Sequence, residues 1–156
     1  MIYAVNLLIM LGWAVITADF STGNLVIGFV VGFAALWVSG GLFGDARYHG
    51  RVIGAARLAG YFLYDLATSS LQVAWDIVTP THLSRPAFLE MPLDATTDVE
   101  IMLTANLISL TPGTLSVDVS PDRRTLLVHA MFAEDPEAVI RGLKSGIERR
   151  VLEALR

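Results

Sequence analysis

The chain has 156 residues, 54% hydrophobic and only 17% charged, with a mean hydropathy of +0.58; this is too apolar for an ordinary water-soluble domain. Its net charge of −4 leaves no basic stripe to displace phosphate counterions, which argues against a nucleic-acid partner. The absence of cysteine excludes disulfides and thiolate metal sites.

The apolar residues are unevenly spread. Asp19 is the only charged residue before Asp45, ten of the 13 glycines fall between Gly12 and Gly60, and all six prolines lie at Pro80 or beyond. Two packing regimes therefore meet near Pro80, with a lipid bilayer expected to solvate the first.

Residues 2–18 are apolar or small apart from Asn6 and Thr17 and nearly match a hydrocarbon core of about 30 Å. They lack the basic start and cleavage site of a signal peptide. Ser21-Thr22-Gly23-Asn24 then favours a reversal, and residues 25–43 form a second uncharged run. The first 51 residues are predicted to be a transmembrane hairpin closed by the loop 44–51. Gly28 and Gly32, extended by Gly40 and Gly41, make a small-residue face on which another helix can approach closely. The turn between the runs carries only Asp19, whereas residues 44–51 carry Arg47 and Arg51; the positive-inside rule puts that loop and the N-terminus in the cytoplasm.

Residues 52–79 are expected to form a long amphipathic helix. Arg57, Tyr61, Asp65, Gln72 and Asp76 recur at three- to four-residue intervals along one stripe, with Leu58, Phe62, Leu66, Leu71, Trp75 and Val78 around the remainder. Two dispositions follow: an interfacial helix with its stripe toward water, or a third transmembrane helix with its stripe against a partner or an aqueous path. The first is preferred because it keeps the C-terminal domain on the side of the basic loop. Asp65 and Asp76 are the candidates for a proton path if they lie at membrane depth; a wet interfacial face is the plainer explanation.

Residues 80–86 read as a linker and 87–156 as a cytoplasmic α/β domain of order β-α-β-β-α. Residues 87–93 alternate as a strand, with Pro92 at an edge or end. Thr97 and Glu100 have capping-box spacing, and Pro112-Gly113 stops the helix that follows. The alternation of Leu115, Val117 and Val119 with Ser116 and Asp118, followed by 125–131, predicts an antiparallel hairpin. Asp135 caps a last helix with Pro136 in its first turn. Its expected apolar stripe runs through Leu143, Ile147 and Val151, with Arg141, Lys144, Glu148, Arg149, Glu153 and Arg156 toward solvent. Some 70 residues make a small core, so the sheet's open side or edge is expected to lean on partners or membrane.

Histidines stand only at His49, His82 and His129, without the spacing of a metal cluster. No phosphate loop, nucleophile elbow or motif-placed Ser/His/Asp set occurs. No catalytic residue, cofactor or metal is expected.

Residues 106–119 (NLISLTPGTLSVDV), then Thr125-Leu126-Leu127-Val128-His129-Ala130 and Asp135-Pro136-Glu137, carry a resemblance. Around the core Thr111, Pro112, Gly113 and Thr114, the chain resembles the E-type subunit of the multisubunit monovalent-cation/proton antiporters of the Mrp, Mnh or Pha type. The hairpin, the Trp75-Asp76 helix and the strand after Arg85-Pro86 are similar in order and spacing. The resemblance implies an accessory subunit in a bacterial or archaeal plasma membrane, needed for assembly or stability of a sodium/proton antiporter rather than carrying the ion path. Its partners would be the large antiporter-like subunits, small membrane subunits and the bilayer. The competing reading is a stand-alone membrane-anchored α/β module that recruits a soluble partner.

Overall fold

The computed structural model describes residues 2–39, 46–80 and 82–156. Gly40 and Gly41 lie outside the described residues. Two compact units emerge, Met1–Val52 and Ile53–Arg156.

In the first unit, α1 (Ile2–Ile16) and α2 (Thr22–Val38) pack as a hairpin, joined by the first residues of α3 (Ala46–Val78). The chain reverses earlier than the sequence suggested. Ala18 takes a positive φ of 51°, and the Asp19 carboxylate accepts from the Ser21 amide at 2.8 Å and the Ser21 hydroxyl at 3.0 Å. So positioned, Ser21 caps α2 by accepting from the Asn24 amide, and Thr22-Gly23-Asn24 becomes its first turn. Asn24 then clasps the reversal: its Nδ2 donates to Thr17 Oγ1 at 2.7 Å and to the Asp19 carbonyl at 2.6 Å, while its Oδ1 accepts from Trp13 Nε1 at 3.0 Å.

Helix α1 has 15 residues and α2 has 17, lengths of roughly 22 and 26 Å against a hydrocarbon core of about 30 Å. Among the described residues no helix is long and apolar enough to cross a membrane.

The second unit joins a small antiparallel sheet to helices, including most of α3. Its strands β1 (Ala87–Pro92), β2 (Thr114–Val119) and β3 (Thr125–Ala130) lie in the order β1-β3-β2. Pro92 ends an edge strand, where its missing amide hydrogen breaks no ladder. Helix α4 (Asp98–Leu110) opens with a complete Thr97–Glu100 capping box. Leu58 of α3, Met91, Ile108, Leu126, Val128, Ile147 and Val151 form one buried core, so the long helix is part of this unit and not a separate layer beside it.

Two register shifts change which residues face inward. A bulge between Ser116 and Asp118 re-phases β2: Leu115 and Val117 are exposed, Ser116 donates to the Ala105 carbonyl of α4 at 2.9 Å, and only Val119 joins the core. The C-terminal helix is likewise divided into α5 (Pro136–Leu143), a π-turn at Lys144–Glu148, and α6 (Arg149–Leu155). The wider turn carries Glu148 inward to 1% exposure, correcting its expected solvent position. There Oε1 accepts from the Asp94 and Ala95 amides at 2.6 and 3.0 Å.

Candidate functional site

The candidate residues of the second unit converge along the seam where α3 meets the sheet and its helices. Gly54 begins it: a Cβ there would stand 2.8 Å from the Glu153 carbonyl oxygen and 2.9 Å from Ala154 Cα, so the two helices touch backbone to backbone. One turn on, Leu58 enters the core. Tyr61 lies beneath Arg150, whose guanidinium carbon is 3.8 Å from the ring centroid. Arg150 also donates to the Ser145 and Gly146 carbonyls at 2.9 and 2.8 Å, occupying acceptors of the π-turn.

Asp65 comes next. Thr111 Oγ1 stands 3.4 Å from Asp65 Oδ2 and 3.1 Å from the Leu107 carbonyl, so the one hydroxyl proton is shared between the two acceptors. Thr111 closes α4, and Gly113, at φ 89°, turns the chain into β2. A Cβ on Gly113 would lie 3.5 Å from the Phe132 ring and 3.8 Å from Val73 of α3. Its carbonyl accepts from the Met131 amide at 2.7 Å, while Thr114 Oγ1 donates to the Ile108 carbonyl at 2.7 Å. The Thr111-Pro112-Gly113-Thr114 turn and the polar stripe of α3, separate features in the sequence, thus form one contact.

Asp76 ends the seam. It is 3% exposed, accepts from the Leu83 amide and stands 3.9 Å from His82 Nδ1, so it holds the chain leaving α3. At Asp65 and Asp76 the stripe meets the chain's own fold. Arg57 and Gln72 remain exposed. The opposite face of α3 is apolar and uncovered: Tyr64, Leu71 and Trp75 follow one another at helical spacing, Leu71 71% and Trp75 63% exposed.

Gly28 and Gly32 belong to the first unit and take no part in this seam. A Cβ on Gly28 would be 3.0 Å from the Met10 carbonyl oxygen and 3.1 Å from Trp13, and one on Gly32 would collide with Asn6 Oδ1. Their close neighbour is α1 of the same chain. Asn6 is fully buried, donates through Nδ2 to the buried Tyr48 hydroxyl, and leaves Oδ1 without a hydrogen-bond partner. Sequence reasoning overlooked this lock. Its signal was the lone amide of an apolar run, which demands a partner.

A second missed element is the loop before α4. Glu148 holds the amides of Asp94 and Ala95, and Glu100 Oε2 those of Thr96 and Thr97 at 2.9 and 3.1 Å. Arg156 Nε donates to Glu100 Oε1 at 2.9 Å. That bond, with the Thr96 and Thr97 amides, lowers the pKa of the Glu100 carboxyl from 4.5 to about 2. No group of three or more His, Asp or Glu side chains with metal-site geometry occurs among the described residues.

Fold and seam together define a small helical hairpin attached to a mixed helix-and-sheet unit with uncovered apolar faces. The profile of the MNHE family, described as Na+/H+ ion antiporter subunit, matches residues 6–154, and the chain belongs to that family. It is 32% identical over 148 residues to the E-type subunit of the Na(+)/H(+) antiporter of Alkalihalophilus pseudofirmus, covering 95% of this chain and 94% of that one. Identity to the corresponding Na(+)/H(+) antiporter subunit of Bacillus subtilis is 28% over 151 residues, 97% of this chain and 96% of the relative. Among solved structures, a chain of the Mrp complex from Dietzia sp. DQ12-45-1b is similar with a TM-score of 0.52 and 28% identity, covering 65% of this chain and 96% of that one. A chain of an archaeal membrane-bound sulfane sulfur reductase shares the fold with a TM-score of 0.58 at 23% identity, over 96% of each chain.

Proposed function

We propose that this chain is the E-type component of a multisubunit Na+/H+ antiporter, serving assembly or stability of the complex while larger subunits move the ions. The family match over residues 6–154 supports the identity of the component. The observation that carries the accessory role is where its polar groups go: the carboxylates Asp65, Asp76, Glu100 and Glu148 are each engaged by groups of the chain itself. Groups held in this way fasten a scaffold and leave apolar surface for neighbours.

In this reading the hairpin is dissolved in lipid, α3 lies at the cytoplasmic interface with Tyr64, Leu71 and Trp75 outward, and the sheet unit is cytoplasmic. The basic residues Arg47 and Arg51, which fall in the first turns of α3 and not in the loop expected over 44–51, support that sidedness. Affinity purification of the tagged chain from native membranes in mild detergent tests the function. Large polytopic proteins should co-purify in fixed ratio; a homogeneous small oligomer would favour the stand-alone module and sink the proposal. Protease digestion of oriented vesicles tests the topology, because a sheet unit cleaved only from the external face would make α3 a third crossing.

A further inference from the structure

Two neighbouring depressions in the second unit are rich in arginine, and they differ in how those charges are matched. The larger, about 810 Å³, is lined by Arg141, Lys144 and Arg156 among others. Each has its own carboxylate: Asp135 and Glu137 for Arg141, Asp94 and Glu148 for Lys144, Glu100 for Arg156. The smaller cleft, about 530 Å³, lies where α3 meets the π-turn and α6, and brings together Arg57, Tyr61, Arg149, Arg150 and Glu153. Only Arg149 is ion-paired there, its Nε to Glu153 Oε1 at 2.8 Å. Arg150 is engaged by two carbonyls and the Tyr61 ring, none of which neutralises it, and Arg57 meets no carboxylate among the described residues.

Three guanidiniums therefore face one carboxylate in a chain whose net charge is −4. Such a cluster attracts an anion locally although the whole molecule does not, and guanidinium forks match phosphate oxygens. The place of the cleft narrows the ligand further. Arg57 stands one helical turn from Ile53, at the margin of the uncovered apolar row that continues through Tyr64 and Leu71. A phosphate beside a long apolar track has the layout of a phospholipid.

We propose that the Arg57–Arg149–Arg150 cleft binds the phosphate of an anionic phospholipid headgroup, with the acyl chains lying along the outer face of α3. This rests on the reading of α3 as a membrane-surface helix. It adds a lipid preference, which would fix the depth and rotation of that helix.

The test uses the full chain in nonionic detergent, with phosphatidylglycerol, phosphatidylcholine or inorganic phosphate added, read by native mass spectrometry and thermal shift. Phosphatidylglycerol should be retained over phosphatidylcholine by about tenfold or more, the scale expected for two arginines at an anionic surface. Arg57→Gln with Arg149→Gln should abolish that preference, whereas Arg123→Gln, in the β2–β3 turn, should keep it. Arg57→Gln alone, at an exposed side chain, keeps the test readable if the double variant is unstable. Equal retention of the two lipids, an undiminished preference in the Arg57 variants, or stabilisation by inorganic phosphate equal to that by lipid would each overturn the proposal. Failure here with intact co-purification of the antiporter removes the lipid site alone. Lipid preference without co-purification removes the antiporter reading and leaves the site.

Discussion

In the hairpin unit, one buried amide carries the polar packing: Asn6 reaches Tyr48 with its nitrogen and presses its oxygen against Gly32. In the sheet unit, two buried carboxylates divide four successive amides, and Lys144 and Arg156 supply charge beside them. The difference follows from the surroundings. Apolar residues fill the body of the hairpin, so away from the Asn24 clasp at the reversal specificity depends on the one buried Asn6 contact and on glycine clearance. The sheet unit has water at its rim and can support a network whose members back one another up. Damage to the first should be all-or-none locally, and damage to the second graded.

The largest effect should come from a place where the sheet unit also depends on glycine, the backbone contact at Gly54. Gly54→Leu drives a side chain into the α6 backbone and should destabilise that unit by about 3 kcal/mol, as overpacking at a rigid contact does. Denaturant melts of the full chain in detergent would show it, with tryptic cutting of α3 appearing earlier. Next, Gly32→Ala places a methyl on Asn6 Oδ1 and should weaken the hairpin by about 1–2 kcal/mol. Adding Asn6→Ala should restore part of that loss, and a double-mutant cycle measures the coupling. Strict additivity would mean that the two residues do not meet.

The Glu100 carboxyl predicts an acid response confined to the sheet unit. Because folding lowers its pKa from 4.5 to about 2, its stabilisation is complete above 4.5 and disappears as pH falls toward 2. Glu100→Gln should lower stability at neutral pH and flatten this part of the pH profile; an unchanged slope would assign acid sensitivity elsewhere. The smallest effect belongs to the seam. Asp65→Asn and Thr111→Val should show a coupling of about 0.5 kcal/mol, the low end for a hydrogen bond at this 3.4 Å separation.

What could be read from sequence follows the range of the interactions involved. The Thr97–Glu100 box, the Asp135 cap with Pro136 and the stop at Pro112-Gly113 are local chemistry, and the structure displays all three. Glu148 was misplaced because a constant helical period carries it outward, and nothing nearby announces the wider turn. Leu115 and Val117 alternate as a buried row does, yet the bulge leaves them outside. The meeting of Asp65 with Thr111 spans 46 positions and depends on how α3 docks, so each residue was legible only by itself. The reversal at Ala18 was missed because Ser21 could be read either as a turn residue or as a cap.

Helix α3, as proposed, gives Tyr61, Asp65 and Asp76 to its own fold and its apolar row to the membrane, and the rest depends on that division. The natural lack of cysteine allows a direct test with single cysteines at Leu71 and Trp75, compared with one at Asp122, in native membranes. The first two should resist a water-soluble maleimide and be quenched by lipid-borne nitroxides, while the third reacts freely. Maleimide labelling at Leu71 and Trp75 as fast as at Asp122, without lipid quenching, would contradict it.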